Sequence, residues 1–196
     1  MTAWAHKFGL GERTGVELPP MTEKRGHIPS ASGRRWTTGR RYLFAIGQGE
    51  TLVTPLQAAV LMAVVANGGY RVRPTLLKVR THPNRVALGI DEKTLSVVRR
   101  GLWRVVNEPG GTAHSSRPSG LSFTWAGKTG SAEVSKREPT HSWFVCYAPA
   151  DEPRYVVSVI CEKAGTGGAV AAPIASSVLQ AIFSLPDVGK EGREGR

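Results

Sequence analysis

Lys128-Thr129-Gly130-Ser131 places a cation, two hydroxyls and a glycine in one short run. It lies within Phe123-Thr-Trp-Ala-Gly-Lys-Thr-Gly-Ser-Ala-Glu-Val134, whose composition reads as a strand. On a strand edge, an ammonium and two hydroxyls can hold a carboxylate. The backbone N–H groups beside them can stabilise an oxyanion. Glycine at that position lets a second backbone lie close. This is the equipment a serine nucleophile needs next to it, and the predicted site is Lys128, Thr129, Gly130 and Ser131.

Gly127-Lys128-Thr129 also matches the end of a phosphate-binding loop. That motif requires a glycine at position 122, which is Ser122, and a helix directly after the threonine. Here Gly130-Ser131 leads into Lys136-Arg137-Glu138-Pro139, which is no helix core. The nucleotide reading is rejected. The five histidines and two cysteines show no metal-ligand spacing, so neither metal nor cofactor is expected. His141, just beyond the motif, reads as a hydrogen-bonded structural side chain more readily than as a cleft residue. Thr112 reads as a loop residue under the cleft, and Gly47-Gln48-Gly49 as a tight turn positioning the helix that follows.

These residues must be carried by a folded frame. A chain of 196 residues can bury one ordinary core. Its 26 basic against 15 acidic side chains give a net charge of +11, which favours an anionic neighbour without choosing one. Arg34-Arg35 and Arg40-Arg41, beside Trp36 and Tyr42, form the densest basic patch. Basic residues interleaved with aromatics can bind single strands, but a solvated loop near a polyanionic wall or membrane is the preferred reading. Cys146 and Cys161 sit in apolar runs and read as reduced packing residues. The longest apolar run, Leu56 to Ala66, is too short to span a membrane, and no apolar leader follows Met1. Read from Met1, the chain is expected to be soluble and untargeted, which holds only if Met1 is the true start.

Residues 1–50 read as loops, with a short helix at Thr2–Phe8. Thr54-Pro55-Leu56-Gln57 is a helix start with a capping box, and Asn67-Gly68-Gly69 is its stop. That helix is apolar nearly all round and is expected to be buried. Asp91 caps a second helix to about Asn107, with Leu95, Val98, Leu102, Val105 and Val106 as its apolar stripe. Strands are predicted at about 123–134, 142–148 and 154–162, the last two joined through Pro149–Pro153 as a hairpin. They are apolar on both faces, so helices are expected on both. A last helix spans about 169–184, with Val170, Ile174, Val178 and Ile182 at spacing four. The tail 186–196 is expected to be disordered. The strand carrying Lys128 should be an accessible edge, and the strand ending at Glu162 should have an open edge of its own. An apolar strand with an open edge is a liability, so further strands are expected to belong there.

Ile46-Gly-Gln-Gly-Glu-Thr-Leu-Val-Thr-Pro-Leu-Gln57 followed by Ala66-Asn-Gly-Gly69 resembles a segment of class B penicillin-binding proteins. Phe8-Gly-Leu-Gly-Glu-Arg-Thr-Gly-Val-Glu-Leu-Pro19, Gly110-Gly-Thr-Ala113 and Trp143-Phe-Val-Cys-Tyr-Ala-Pro149 resemble it too, in the family's order. The resemblance runs from residue 4 to about 184, and the elongation-type branch is the nearest. It implies an α+β fold of the serine β-lactamase/transpeptidase kind, with an antiparallel sheet flanked by helices. Residues 1–185 would be the C-terminal portion of a transpeptidase domain, incomplete in that N-terminal strands and the nucleophile helix are absent.

The implied activity is D,D-transpeptidation of peptidoglycan stem peptides through an acyl-serine intermediate, with acylation by β-lactams. The family uses three motifs in one cleft: Ser-x-x-Lys, Ser-x-Asn and Lys-Thr-Gly. No serine in this chain is followed by lysine at the third position or by asparagine at the second. The chain alone is therefore expected to be inactive. Carried over residue by residue, Lys128 would support proton shuttling and attract the substrate carboxylate. Thr129 and Ser131 hydroxyls would bond that carboxylate, Gly130 would admit the substrate backbone, and the Ser131 N–H would be one oxyanion donor. A glycosyltransferase partner is implied for the full-length protein. So is a place outside the cytoplasmic membrane, held by an N-terminal anchor that this chain lacks. A β-lactam sensor, a D,D-carboxypeptidase or a class D-like β-lactamase would share Lys-Thr-Gly. A non-catalytic nucleic-acid-binding protein is the alternative from another class, and nucleic acid is not the expected partner.

Overall fold

The computed structural model describes residues 1–19, 22–30, 36–77, 85–117, 123–135 and 137–185. Arg34-Arg35 and the tail 186–196 lie outside them. The elements run α1 (Thr2–Lys7), α2 (Thr38–Ala45), α3 (Pro55–Ala66), β1 (Tyr70–Val72), β2 (Arg85–Ala87), α4 (Glu92–Asn107), a 3-10 turn (His114–Ser116), β3 (Ala126–Ala132), β4 (His141–Ala148), β5 (Tyr155–Cys161) and α5 (Ala171–Ser184).

Local chemistry explains the two central helices. Thr54 Oγ1 accepts from the Gln57 N–H at 3.2 Å, and Gln57 Oε1 accepts from the Thr54 N–H at 2.9 Å, closing the predicted capping box. Pro55 occupies the first turn, where its missing donor costs nothing. Gln57 is buried, and its Nε2 donates to Glu12 O at 2.6 Å and Arg25 O at 2.7 Å. One side chain thus caps α3 and holds two N-terminal loops against it. Asp91 caps α4 by accepting from the Thr94 N–H at 2.8 Å. At the other end of α3, Arg99 of α4 donates from Nε to Val65 O at 2.8 Å. It thereby satisfies a carbonyl the helix end leaves orphaned.

β3, β4 and β5 form an antiparallel sheet in that order, and β1 pairs with β2 in a small separate ribbon. Helices cover both faces of the larger sheet, as its two-sided apolar strands require. On one face Trp125, Phe144, Cys146 and Ala148 pack on Ala171, Ala172, Ala175 and Leu179 of α5. On the other, Ala126 and Tyr147 pack on Met62 and Ala66 of α3, with Leu102 and Trp103 of α4 alongside. Trp125 meets Phe144 edge to face at 5.4 Å between centroids. Both cysteines are free. Register sets Cys146 opposite Val157, so Cys161 lies further along β5 by about 13 Å at strand rise, too far to bridge. Burial pushes the Cys146 thiol far above its ordinary range.

Three expectations are corrected, and two short strands are added. Residues 1–50 are not all loop: α2 forms at Thr38–Ala45, capped by Thr37, but buries no residue and so carries no apolar period to read. The short strands β1 and β2 went unpredicted because three residues cannot show an alternation. Val98 of the α4 stripe is 41% exposed. In α5 the stripe is inverted. Ile174 and Val178 are 42% and 39% exposed, while Ala171, Ala172, Ala175, Ser176 and Leu179 are buried. The helix presents Leu179 and its small residues to the sheet, which allows close packing, and leaves Ile174 and Val178 outward.

Candidate functional site at the β3 edge

β3 is an edge strand, with β4 as its partner and its other side unpaired among the described residues. Gly127 stands where the strand crosses Phe144: a Cβ there would meet the Phe144 ring at 2.6 Å and Cys146 Cβ at 2.8 Å. The strand can therefore approach β4 closely only with glycine at that point. Register pairs Lys128 with Val145, Thr129 with Phe144, Gly130 with Trp143 and Ser131 with Ser142.

The four predicted residues are brought together along this edge. The carbonyls of Thr129 and Ser131 point off it. Lys128 Nζ donates to Thr129 O at 2.6 Å, and Gln48 Nε2 donates to Ser131 O at 3.0 Å. A strand residue sends its N–H and C=O to the same side, so the N–H groups of Thr129 and Ser131 face outward as well. The side chains of Lys128 and Ser131 are exposed, and Thr129 and Gly130 are half-buried.

A hydroxyl from another element joins them. Thr112, in the loop after α4, sets its Oγ1 at 2.7 Å from Thr129 Oγ1. Thr112 is more than a residue under the cleft, since its hydroxyl belongs to the same polar cluster as the motif threonine. Beneath both runs the segment Thr166–Gly168. A Cβ on Gly167 would overlap Trp143 O and meet Gly130 O at 2.6 Å, and one on Gly168 would overlap Thr112 O. These glycines let backbone lie flat on the Gly130–Trp143 pair and against the Thr112 loop. The segment is tied down by side chains. Gly167 N donates to Ser131 Oγ at 3.4 Å, Ser116 Oγ donates to Gly168 O at 3.1 Å, and Ser142 Oγ donates to Thr166 O at 2.9 Å. Ser142 Oγ also accepts from Ala171 N at 3.0 Å, anchoring the start of α5.

Sequence reasoning missed Gln48 and the Gly167-Gly168 segment as neighbours of the site. The paired glycines were the available signal, since adjacent glycines mark a close backbone approach. Gln48 had none: its partner is 83 residues away. His141 Nδ1 accepts from Lys163 N at 2.9 Å, which is a structural role. Arg40 of the basic patch is paired with Glu50 at 2.9 Å. Among the described residues no cluster of three or more His, Cys, Asp or Glu could hold a metal, and no helix is long and apolar enough to cross a membrane.

Residues 1–180 match the family model described as the penicillin binding protein transpeptidase domain. The chain belongs to this family. Similar proteins include the peptidoglycan D,D-transpeptidase MrdA of Haemophilus influenzae, 32% identical over 97% of this chain and 34% of that protein. The peptidoglycan D,D-transpeptidase PbpA of Mycolicibacterium smegmatis is 28% identical over 89% of this chain and 38% of its own length. Among solved structures, Pseudomonas aeruginosa PBP2 in complex with WCK 5153 superposes with a TM-score of 0.78 at 32% identity, covering 96% of this chain and 44% of that one. Helicobacter pylori PBP2, solved with MreC, superposes at 0.79 with 28% identity, covering 94% and 36%. The family's transpeptidase domains thus share this α+β arrangement of sheet and helices. The MrdA and PBP2 names agree with the elongation-type branch. The chain spans about a third of the length of the curated relatives it matches.

Proposed function

We propose that this chain supplies the β3 wall of a penicillin-binding D,D-transpeptidase site that cross-links peptidoglycan stem peptides. The observation that carries this reading is the outward edge at Thr129 and Ser131, flanked by the Lys128 ammonium and by the Thr112–Thr129 hydroxyl pair. A peptide carboxylate meets the Lys128 charge and the Thr129 and Ser131 hydroxyls. Its scissile carbonyl then meets the outward Ser131 N–H, one donor of an oxyanion hole. Loss of one such donor costs about 3–4 kcal/mol of transition-state stabilisation. The acyl-serine intermediate needs a nucleophile from residues outside this sequence, which contains neither Ser-x-x-Lys nor Ser-x-Asn. β-Lactams are the inhibitors this chemistry fits. Residues 1–185 form the domain portion, a glycosyltransferase is the expected partner of the whole protein, and its site of action is the extracytoplasmic face of the membrane. Relatives named as transpeptidases do not favour the sensor, carboxypeptidase, β-lactamase or nucleic-acid readings.

The test is labelling by a fluorescent penicillin. The 196-residue chain alone is expected to stay unlabelled. Co-expressed with the preceding part of the H. influenzae relative, it should restore labelling that Lys128→Ala abolishes. Stable labelling of the chain by itself would place the nucleophile within it and overturn this assignment.

A further inference from the structure

We propose that Gln48 governs which peptides add to β3, by occupying the one edge carbonyl that an incoming amide has to take. This rests on the reading above, in which the scissile carbonyl bonds the Ser131 N–H. In an antiparallel ladder, directly opposed hydrogen-bonded residues exchange both bonds. The peptide residue whose C=O accepts from Ser131 N–H is therefore the residue whose own N–H donates to Ser131 C=O. That carbonyl already accepts from Gln48 Nε2 at 3.0 Å. Peptide addition and the Gln48 contact exclude each other along the bond direction.

The local structure suits a side chain that comes and goes. Gln48 sits between two glycines in the left-handed region, Gly47 at φ +73° and Gly49 at φ +78°. It is half-buried between two cavities. The larger, about 470 Å³, is mainly apolar and is lined by Leu43, Phe44 and Trp36. The smaller, about 250 Å³, lies between the 46–53 segment and the end of β3, and is lined by Thr51, Gly130, Ser131 and Trp143. The buried Thr51 Oγ1 has no hydrogen-bond partner. Thr51 lines the same small cavity as Gln48. Without a peptide, Gln48 leaves no outward carbonyl unmet at Ser131 and blocks strand addition by unrelated segments. A peptide gains the site only if it offers both a carboxylate to Thr129 and an N–H to Ser131 O.

The experiment is equilibrium dialysis of the full 196-residue chain against an acyl-D-alanyl-D-alanine peptide, and against the same peptide N-methylated at the penultimate residue. Gln48→Ala should bind the first peptide about two- to tenfold more tightly than the parent chain, the range of one net hydrogen bond. The methylated peptide should show no such gain. Gln48→Asn, which keeps the amide but is too short to reach, should behave as Gln48→Ala does. Unchanged or weaker binding by both variants, with Thr129→Val still lowering affinity, overturns the role of Gln48 and leaves the carboxylate site standing. If Thr129→Val has no effect, or the parent chain does not bind, both readings fall.

Discussion

The hydroxyls of Thr112 and Thr129 meet at 2.7 Å across the gap between the loop after α4 and the edge of β3. One of them must donate to the other, so the pair leaves a single outward hydroxyl hydrogen for an anion. Replacing Thr112 with valine keeps the shape and removes that relay. Affinity for a carboxylate-ended peptide should fall about twofold to tenfold, the range of one net hydrogen bond between neutral groups. Thr112→Ser should retain it. Loss in Thr112→Ser with none in Thr112→Val, measured by the same dialysis, would show that the methyl group matters and the hydroxyl does not.

Gly167 tests whether the floor of the site is set by space. Its backbone lies over the Gly130–Trp143 pair, where a Cβ has no room. Gly167→Ala should cost about 1–3 kcal/mol in urea denaturation, as overpacking does, and should also weaken peptide binding. Gly39, in the first turns of α2, has nothing within 4 Å of a built Cβ. Gly39→Ala should be neutral or stabilising by up to about 1 kcal/mol. A neutral Gly167→Ala would mean that the 166–168 segment can lift without consequence.

Gln57 does more than cap. Thr54→Ala should cost about 0.5–2 kcal/mol, the ordinary loss of an N-cap. Gln57→Ala should cost more, because it also strips the partner from Glu12 O and Arg25 O and opens a void at a buried position. Denaturation midpoints at equal m-value decide the order. If Thr54→Ala is the costlier change, the N-terminal loops are not held by this side chain.

Glu23 gives the fold an acid dependence. Partial burial raises its carboxyl pKa, but hydrogen bonds from the Thr14 hydroxyl and the Thr14 N–H outweigh that and hold it below the ordinary value of 4.5. Because the folded pKa is the lower one, the stabilisation is complete above that ordinary value and is lost as pH falls through the folded pKa. Stability measured from about pH 6 down to about pH 3 should decline less steeply in Glu23→Gln than in the parent. Parallel curves would remove Glu23 from the acid response.

The parts of the fold that could be read directly were those whose cause is local. Thr54, Pro55, Gln57 and Asp91 announce the starts of α3 and α4, and the two-sided apolar strands announce covering helices. The Lys128–Ser131 run was legible as a polar strand edge because its residue types mark it themselves. What stayed hidden depends on distant chain. The outward Ile174 and Val178 follow from α5 packing through its alanines, which spacing alone cannot reveal. α2 escaped notice because nothing on it is buried. Gln48 reached the site only because the chain folds back over 83 residues.

The floor under the motif has a consequence for folding order. Its ties join residues far apart in the chain: Ser116 to Gly168 across 52 positions, Ser131 to Gly167 across 36 and Ser142 to Thr166 across 24. Each is a loop whose closure must be bought before it rewards the chain, so these contacts form late. The hairpin of β4 and β5 can assemble first, and β3 must pair with β4 before the segment from Thr166 to Gly168 has anything to lie on. Ligand affinity should therefore arise in the slowest kinetic phase of refolding, after helix and sheet signals have recovered. That makes a bound peptide a clock for the last event in the assembly of this chain.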